Sequence, residues 1–376
     1  MLIEFQNADA LRRHLADHGT LLDVVIQNVD LTSLDAELRR VPATGAFFLG
    51  CHLTPNALDH IVDTGGIVFP RLPALPYRPY RATLYAPSEL MEGYVPGKLG
   101  SFLHDTLDGR IYRHFAQYRG PESSPPIIEA LAQRIHDHAI DDALRELLAS
   151  RPKVVGIMGG HAMKRDEAAY RDIVSLGRRL TRADYFVATG GGPGAMEAGN
   201  LGAYLAPREA DEVERAVDLL QQETDFLADR YVELSCELLQ RYPAGGESLA
   251  IPTWFYGHEP TNQFTPYIAK YFANSIREDG LLAICRHGVV YTPGSAGTFQ
   301  EVFQDAAQNQ YGLFHWISPM VFYGRKFWTE TAPIFRLLEK IAAPHVYAKL
   351  LLITDDVEEI VEFLASHPPL PYPPQS

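Results

Sequence analysis

Two glycine-rich segments carry most of the chemistry that can be read from this sequence: Thr189-Gly190-Gly191-Gly192-Pro193-Gly194-Ala195-Met196-Glu197 and Pro293-Gly294-Ser295-Ala296-Gly297-Thr298-Phe299-Gln300-Glu301. Glycine lets a backbone turn sharply and lie close to a ligand. The free N–H groups of a helix start, helped by the helix dipole, then favour an anion. The first segment offers Gly190, Gly191, Gly192, Gly194, Met196 and Glu197 as ligand contacts, and the second offers Pro293, Gly294, Ser295, Ala296, Gly297 and Thr298. Thr298 stands where a helix start would direct its hydroxyl and N–H at the ligand, and Glu301 adds a carboxylate one turn further on. Each segment also has a plain structural alternative. Thr298-Phe299-Gln300-Glu301 matches the Thr-x-x-Glu capping box that only closes a helix end. In the first segment Pro193 and the glycines can simply turn the chain, and Glu197 can simply favour the helix N-terminus. Repetition of the pattern at two strand ends favours a phosphate-bearing ligand.

Weaker candidates surround these motifs. Gly159, Gly160 and His161 follow a strand-like run, at the kind of strand end where ligands bind in open α/β sheets. Lys270, Arg277 and Arg286 precede the second motif as cations for a phosphate, with Arg277 the favoured one. Neither glycine segment is a Gly-x-Gly-x-x-Gly fingerprint, and no Gly-Lys-Ser/Thr follows either turn, so dinucleotide and nucleoside triphosphate chemistry lack support. The fourteen histidines show no metal-ligand spacing. Neither a metal nor a cofactor is expected.

The motifs require strands and helices to position them. Runs at 154–158, 185–188, 248–251, 288–292, 320–323 and 350–353 read as buried strands. They alternate with helical patterns at 167–180, 195–204, 263–277 and 357–365. That alternation predicts an α/β fold, a doubly wound parallel sheet with helices on both faces. A long polar helical insertion is expected over 208–241. Apolar runs at 24–26, 46–49 and 67–69 predict a smaller α/β domain over residues 1–150, bounded by a helical pattern that ends before Arg151-Pro152. The main domain then covers 151–366. The proline-rich tail 367–376 cannot continue a helix and reads as a surface arm.

The chain has 376 residues, enough for two cores. Its 33 Lys+Arg against 47 Asp+Glu give a net charge of -14, which argues against a broad nucleic-acid or anionic-membrane surface. The three cysteines are widely spaced and signal neither a disulfide framework nor a thiolate metal site. The N-terminus lacks the blocks of a signal peptide and no apolar run approaches a membrane span, so a cytoplasmic protein is expected.

On these motifs the chain resembles the LOG (Lonely Guy) family of cytokinin-activating phosphoribohydrolases and related bacterial nucleotide nucleosidases. Residues 189–200 are similar to the family's Thr-Gly-Gly-Gly-Pro-Gly-Ile-Met-Glu-Ala-Ala-Asn segment, and 293–301 to its Pro-Gly-Gly-x-Gly-Thr-x-x-Glu signature. The likeness runs from about Lys153 to Ser366. It implies a Rossmann-like homodimer or larger assembly that hydrolyses the N-glycosidic bond of a nucleoside 5'-monophosphate, AMP-like or N6-modified, to free base and ribose 5-phosphate. It also implies that the second turn holds the phosphate and that Glu301 is catalytic. The sequence departs from the family in three places. Ser295 replaces a signature glycine, and Gly160-His161-Ala162 stands where relatives commonly carry Ser-Ala-Arg. Asn274-Ser275 falls near the family's Arg-Lys pair, leaving Arg277 as its substitute. The loss of that pair keeps a second expectation open: a nucleotide or phosphoribosyl-ligand binding protein, a sensor or carrier, without turnover.

Overall fold

The computed structural model describes residues 3–72, 75–120 and 124–372. The chain divides into two compact units, one of Met1–Leu84 with Gln117–Glu146, the other of Tyr85–Ala116 with Leu147–Ser376.

In the first unit, strands β1 (Ile3–Phe5), β2 (Val24–Gln27), β3 (Phe47–Leu49) and β4 (Ile67–Phe69) form a parallel sheet in that order. Alternate side chains Val24, Ile26 and Phe48 enter a core with Leu11 and Leu15 of helix Ala8–His18 and Ile61 of helix Pro55–Asp63. The Asn7 side chain caps the first of these helices by accepting from Ala10 N, and Gly19, at φ 62°, ends it. The opposite sheet face and helix Ile127–Ala149 border a cavity of about 520 Å³.

The second unit holds β5 (Val154–Met158), β6 (Phe186–Thr189), β7 (Ser248–Ala250), β8 (Tyr267–Ile268), β9 (Val289–Tyr291), β10 (Trp316–Ile317), β11 (Met320–Tyr323), β12 (Leu351–Thr354) and β13 (Leu370–Pro371). Seven of these form one sheet in the order β12-β11-β9-β5-β6-β7-β8, every pair parallel. The central strands are buried along their whole length because both faces are covered. Val155, Ile157 and Val187 pack on helices Ala168–Arg182, Ala195–Tyr204 and Val357–Ser366. On the other face Gly156 leaves room for Cys285, which follows helix Asn274–Ile284, and Phe322 meets Trp328 and Phe335. This is the doubly wound parallel arrangement read from the sequence.

Four details differ from the sequence reading. Residues 85–116 group with the second unit. Asp108, in helix Leu107–Ala116, accepts hydrogen bonds from Trp254 Nε1 (2.7 Å), Thr261 Oγ1 (2.8 Å) and Lys270 Nζ (2.8 Å), and Tyr85 exchanges backbone bonds with Ile268. The helix expected over 263–277 is instead β8 followed by a helix that starts only at Asn274. Asn262 holds the chain in a turn by accepting from Phe264 N, and Pro266 has no N–H to give a helix. The insertion is two amphipathic helices, Ala210–Leu220 and Asp229–Arg241, whose Val213, Val217, Leu234 and Leu238 belong to the same core as the sheet. In the tail, Leu370–Pro371 pairs antiparallel with β10, and residues 373–376 lie outside the described residues. Among the described residues, no helix is long and apolar enough to cross a membrane.

Candidate functional site

Neighbouring strands β6, β5 and β9 all end at one edge of the sheet, and their C-terminal loops interlock. Gly160 N donates to Pro293 O at 3.0 Å, and Ala195 N donates to Gly160 O at 3.3 Å. Gly194, at φ 72°, passes so close to Gly160 that a Cβ would stand 2.5 Å from its carbonyl oxygen. Gly159 likewise has no room for a side chain, because the Thr292 hydroxyl occupies that space. That hydroxyl is buried and has no hydrogen-bond partner among the described residues. Such convergence at the carboxyl ends of strands is where open α/β sheets place their ligands.

In the second turn, helix Ala296–Tyr311 begins after Ser295, whose backbone is extended with φ -119° and ψ -157°. A negative φ suits any residue, so the backbone at this position does not call for a glycine. The capping box does not form, because Thr298 lies inside the first helical turn. Its side chain instead packs against Gly294, at which any Cβ would collide with the Thr298 hydroxyl. Ser295, Ala296 and Gly297 are exposed. The first intrahelical donor is Phe299 N, to Ser295 O at 3.0 Å. The N–H groups of residues 296–298 precede it, the donors that a helix start leaves without an intrahelical partner.

The first turn is built differently. Thr189 Oγ1 accepts from Gly191 N at 3.1 Å and donates to Asn200 Oδ1 at 2.6 Å. Asn200 in turn donates to Ser248 Oγ and accepts from Asn262. Met196, half-buried, packs beneath Gly190 and Gly192. Glu197, expected as a ligand contact, has its carboxylate bound within the protein. Arg165 donates to both of its carboxylate oxygens at 2.8 and 2.9 Å, and Tyr170 OH adds a third bond at 2.7 Å. Arg165 is itself held by Tyr231 O and Ser235 of the helical insertion and lies over the Tyr231 ring at 3.2 Å. This buried pair ties the first turn to the helix layer.

Arg277 joins the two turns. From helix Asn274–Ile284 its Nε donates to Ile251 O at 2.8 Å, Nη1 reaches Glu301 Oε1 at 3.4 Å and Nη2 reaches Gly190 O at 3.4 Å. A side chain at Gly190 would strike the guanidinium. Glu301 is 8% exposed, and burial pushes its carboxyl up to about 7; Arg277 opposes the shift and Glu278 adds to it. One turn along the same helix, burial also pushes Asp305 up to about 7, while its acceptance of the Tyr291 hydroxyl at 2.8 Å works the other way.

The remaining candidates fare unevenly. His161 is exposed and sets its ring edge-on to Phe226 at 6.2 Å. Lys270 pairs with Asp108 at 2.8 Å, and Arg286 lies over the Trp316 ring at 3.8 Å. Asn274, where the family pair would fall, donates to Glu278 and to Tyr256 OH. Sequence reasoning missed Glu259, Tyr256 and Thr292. Only Thr292, directly before Pro293, sits close enough to a motif to have been flagged.

Fold and site together define an α/β protein with a doubly wound parallel sheet and a polar junction at the C-terminal ends of its central strands. No family model matches the chain, and no curated protein matches it. Two solved structures illustrate what it is similar to. A molybdenum cofactor binding protein from Rippkaea orientalis shares 13% identity over 58% of this chain and 98% of its own, with a TM-score of 0.36. The molybdenum cofactor carrier protein from Chlamydomonas reinhardtii shares 15% identity over 58% of this chain and 100% of its own, also with a TM-score of 0.36.

Proposed function

We propose that the junction hydrolyses the N-glycosidic bond of a nucleoside 5'-monophosphate, AMP-like or N6-modified, giving free base and ribose 5-phosphate. The observation that carries this reading is Glu301, a buried carboxyl next to Arg277 and one turn from an open helix N-terminus. The phosphate would take the N–H groups of 296–298 and the Thr298 hydroxyl. As the bond from C1' to the base breaks, its electron pair leaves with the base and positive charge builds on the sugar. An ionised Glu301 stabilises that charge or takes a proton from the attacking water, whose oxygen then bonds C1', while the base gains a proton. The family resemblance adds the expectation of a homo-oligomer, which sedimentation would test.

A second reading, nucleotide or phosphoribosyl binding without turnover, draws on one feature. Arg277 faces Glu301, and Asn274 and Ser275 supply no further cation where the family carries a pair. The test is incubation of the pure protein with AMP, GMP, CMP, UMP, IMP and an N6-substituted AMP, with free base followed by chromatography. Release of base supports the hydrolase and names its substrate. Nucleotide binding with no release on any substrate supports the sensor or carrier.

A further inference from the structure

Glu259 is an acidic group at the junction to which no role has been given. It lies in the loop between β7 and β8, and its carboxylate rests on the first glycine turn: a Cβ at Gly192 would stand 2.6 Å from Oε2 and 2.8 Å from Met196 Cε. The residue is largely enclosed. Burial raises its pKa, and the charged groups facing it are His161, Lys270 and Arg277. No hydrogen bond from a described residue reaches its carboxylate. Arg277 contacts Glu301 directly and reaches Gly190 O of the same turn on which Glu259 rests at Gly192.

We propose that Glu259 is the sugar-recognition residue of the site, its two carboxylate oxygens accepting the O–H groups of a ribose 2',3'-diol. This rests on the reading of a phosphoribosyl ligand whose phosphate sits on the second turn. The carbon that loses the base is bonded to the carbon bearing the 2'-hydroxyl, so the group that serves the bond and the group that reads the diol must be neighbours. Glu259 rests on the first turn at Gly192, and Arg277 joins that turn, at Gly190 O, to Glu301, which brings the two carboxyls to one junction. A carboxylate is the usual partner of ribose hydroxyls in α/β nucleotide sites because each oxygen accepts without having to donate. Adjacent N–H donors on a base offer similar chemistry, and the experiment separates the two sources.

The experiment is calorimetric titration of wild type and Glu259→Gln with ribose 5-phosphate, 2-deoxyribose 5-phosphate and inorganic phosphate, followed by AMP and IMP. Wild type should bind ribose 5-phosphate roughly tenfold or more tighter than the deoxy sugar, the scale of one hydrogen bond to a charged acceptor. Glu259→Gln should bring the two sugars within about twofold, with inorganic phosphate affinity and melting temperature kept, showing that the fold and cradle survive. An unchanged sugar preference in the variant overturns the proposal. So does a change confined to the AMP to IMP ratio, which would assign Glu259 to the base. Because these readings need no turnover, a wild type that discriminates the sugars but releases no base sinks the hydrolase and leaves the sugar contact standing. A wild type that binds neither sugar phosphate sinks the sugar contact.

Discussion

The two glycine turns look alike in sequence and differ in construction. Around the first, several polar groups are spent within the protein: Glu197 on Arg165, Thr189 on Gly191 and Asn200, and Ala195 N on Gly160. The second leaves Ser295, Ala296 and Gly297 exposed, with the donors of a helix start ahead of the first intrahelical bond. A glycine motif therefore reports close backbone approach, and what approaches can be the protein itself. At the first turn it is Arg277, Met196 and the β5 loop; at the second, nothing stands within 4 Å of a Cβ built at Gly297.

The largest expected effect falls on the open turn. Glu301→Gln should lower kcat by about 10²–10⁴-fold while leaving ribose 5-phosphate affinity within a few-fold, measured by base release and calorimetry. Loss of binding together with activity would make the carboxylate part of the cradle. If Glu301 works as a carboxylate, kcat of wild type should rise with pH through about 7, the value to which burial pushes it. A rate that falls through that range would make it a proton donor. The same shift predicts stability. A carboxyl raised in the folded state favours folding fully below its unfolded pKa, and that contribution is lost as pH rises through about 7. Glu301→Gln should therefore gain melting temperature relative to wild type at pH 8, and less so at pH 4.

On the closed turn the effect should appear as stability. Glu197→Gln leaves the buried Arg165 without its counter-charge and should cost about 3–5 kcal/mol in denaturant unfolding. A near-neutral result would undo the view that this turn is a brace. A smaller effect returns to the cradle: Thr298→Val, close in volume, should weaken inorganic phosphate binding by about tenfold with melting unchanged. The smallest belongs to Ser295→Gly. Its extended backbone needs no glycine, so stability and phosphate affinity should stay within about 0.5 kcal/mol of wild type.

Much of this fold was legible because its signals are local. The runs at Val154–Met158 and Met320–Tyr323 are continuous apolar strands, and helix Ala195–Tyr204 opens directly after its glycine. What stayed hidden depends on partners distant in sequence. Asp108 draws residues 85–116 into the second unit through Trp254, Thr261 and Lys270, and nothing near Asp108 announces those bonds. Arg165 is just as silent about Glu197. Local spacing proposed a capping box at Thr298 and Glu301, and tertiary contacts overrode it: Thr298 lies against Gly294 and Glu301 faces Arg277. Glu259 sits in an irregular loop, without the periodicity or motif that would mark it.

The most direct test of this division of labour is an amide-resolved NMR titration of isotope-labelled protein with inorganic phosphate. If the second turn is the cradle, the amides of Ala296, Gly297 and Thr298 should move in a saturable way while those of Gly191 and Gly192 stay nearly still. Saturable shifts centred on Gly191 and Gly192, with 296–298 unmoved, would contradict it and make the first turn the phosphate site.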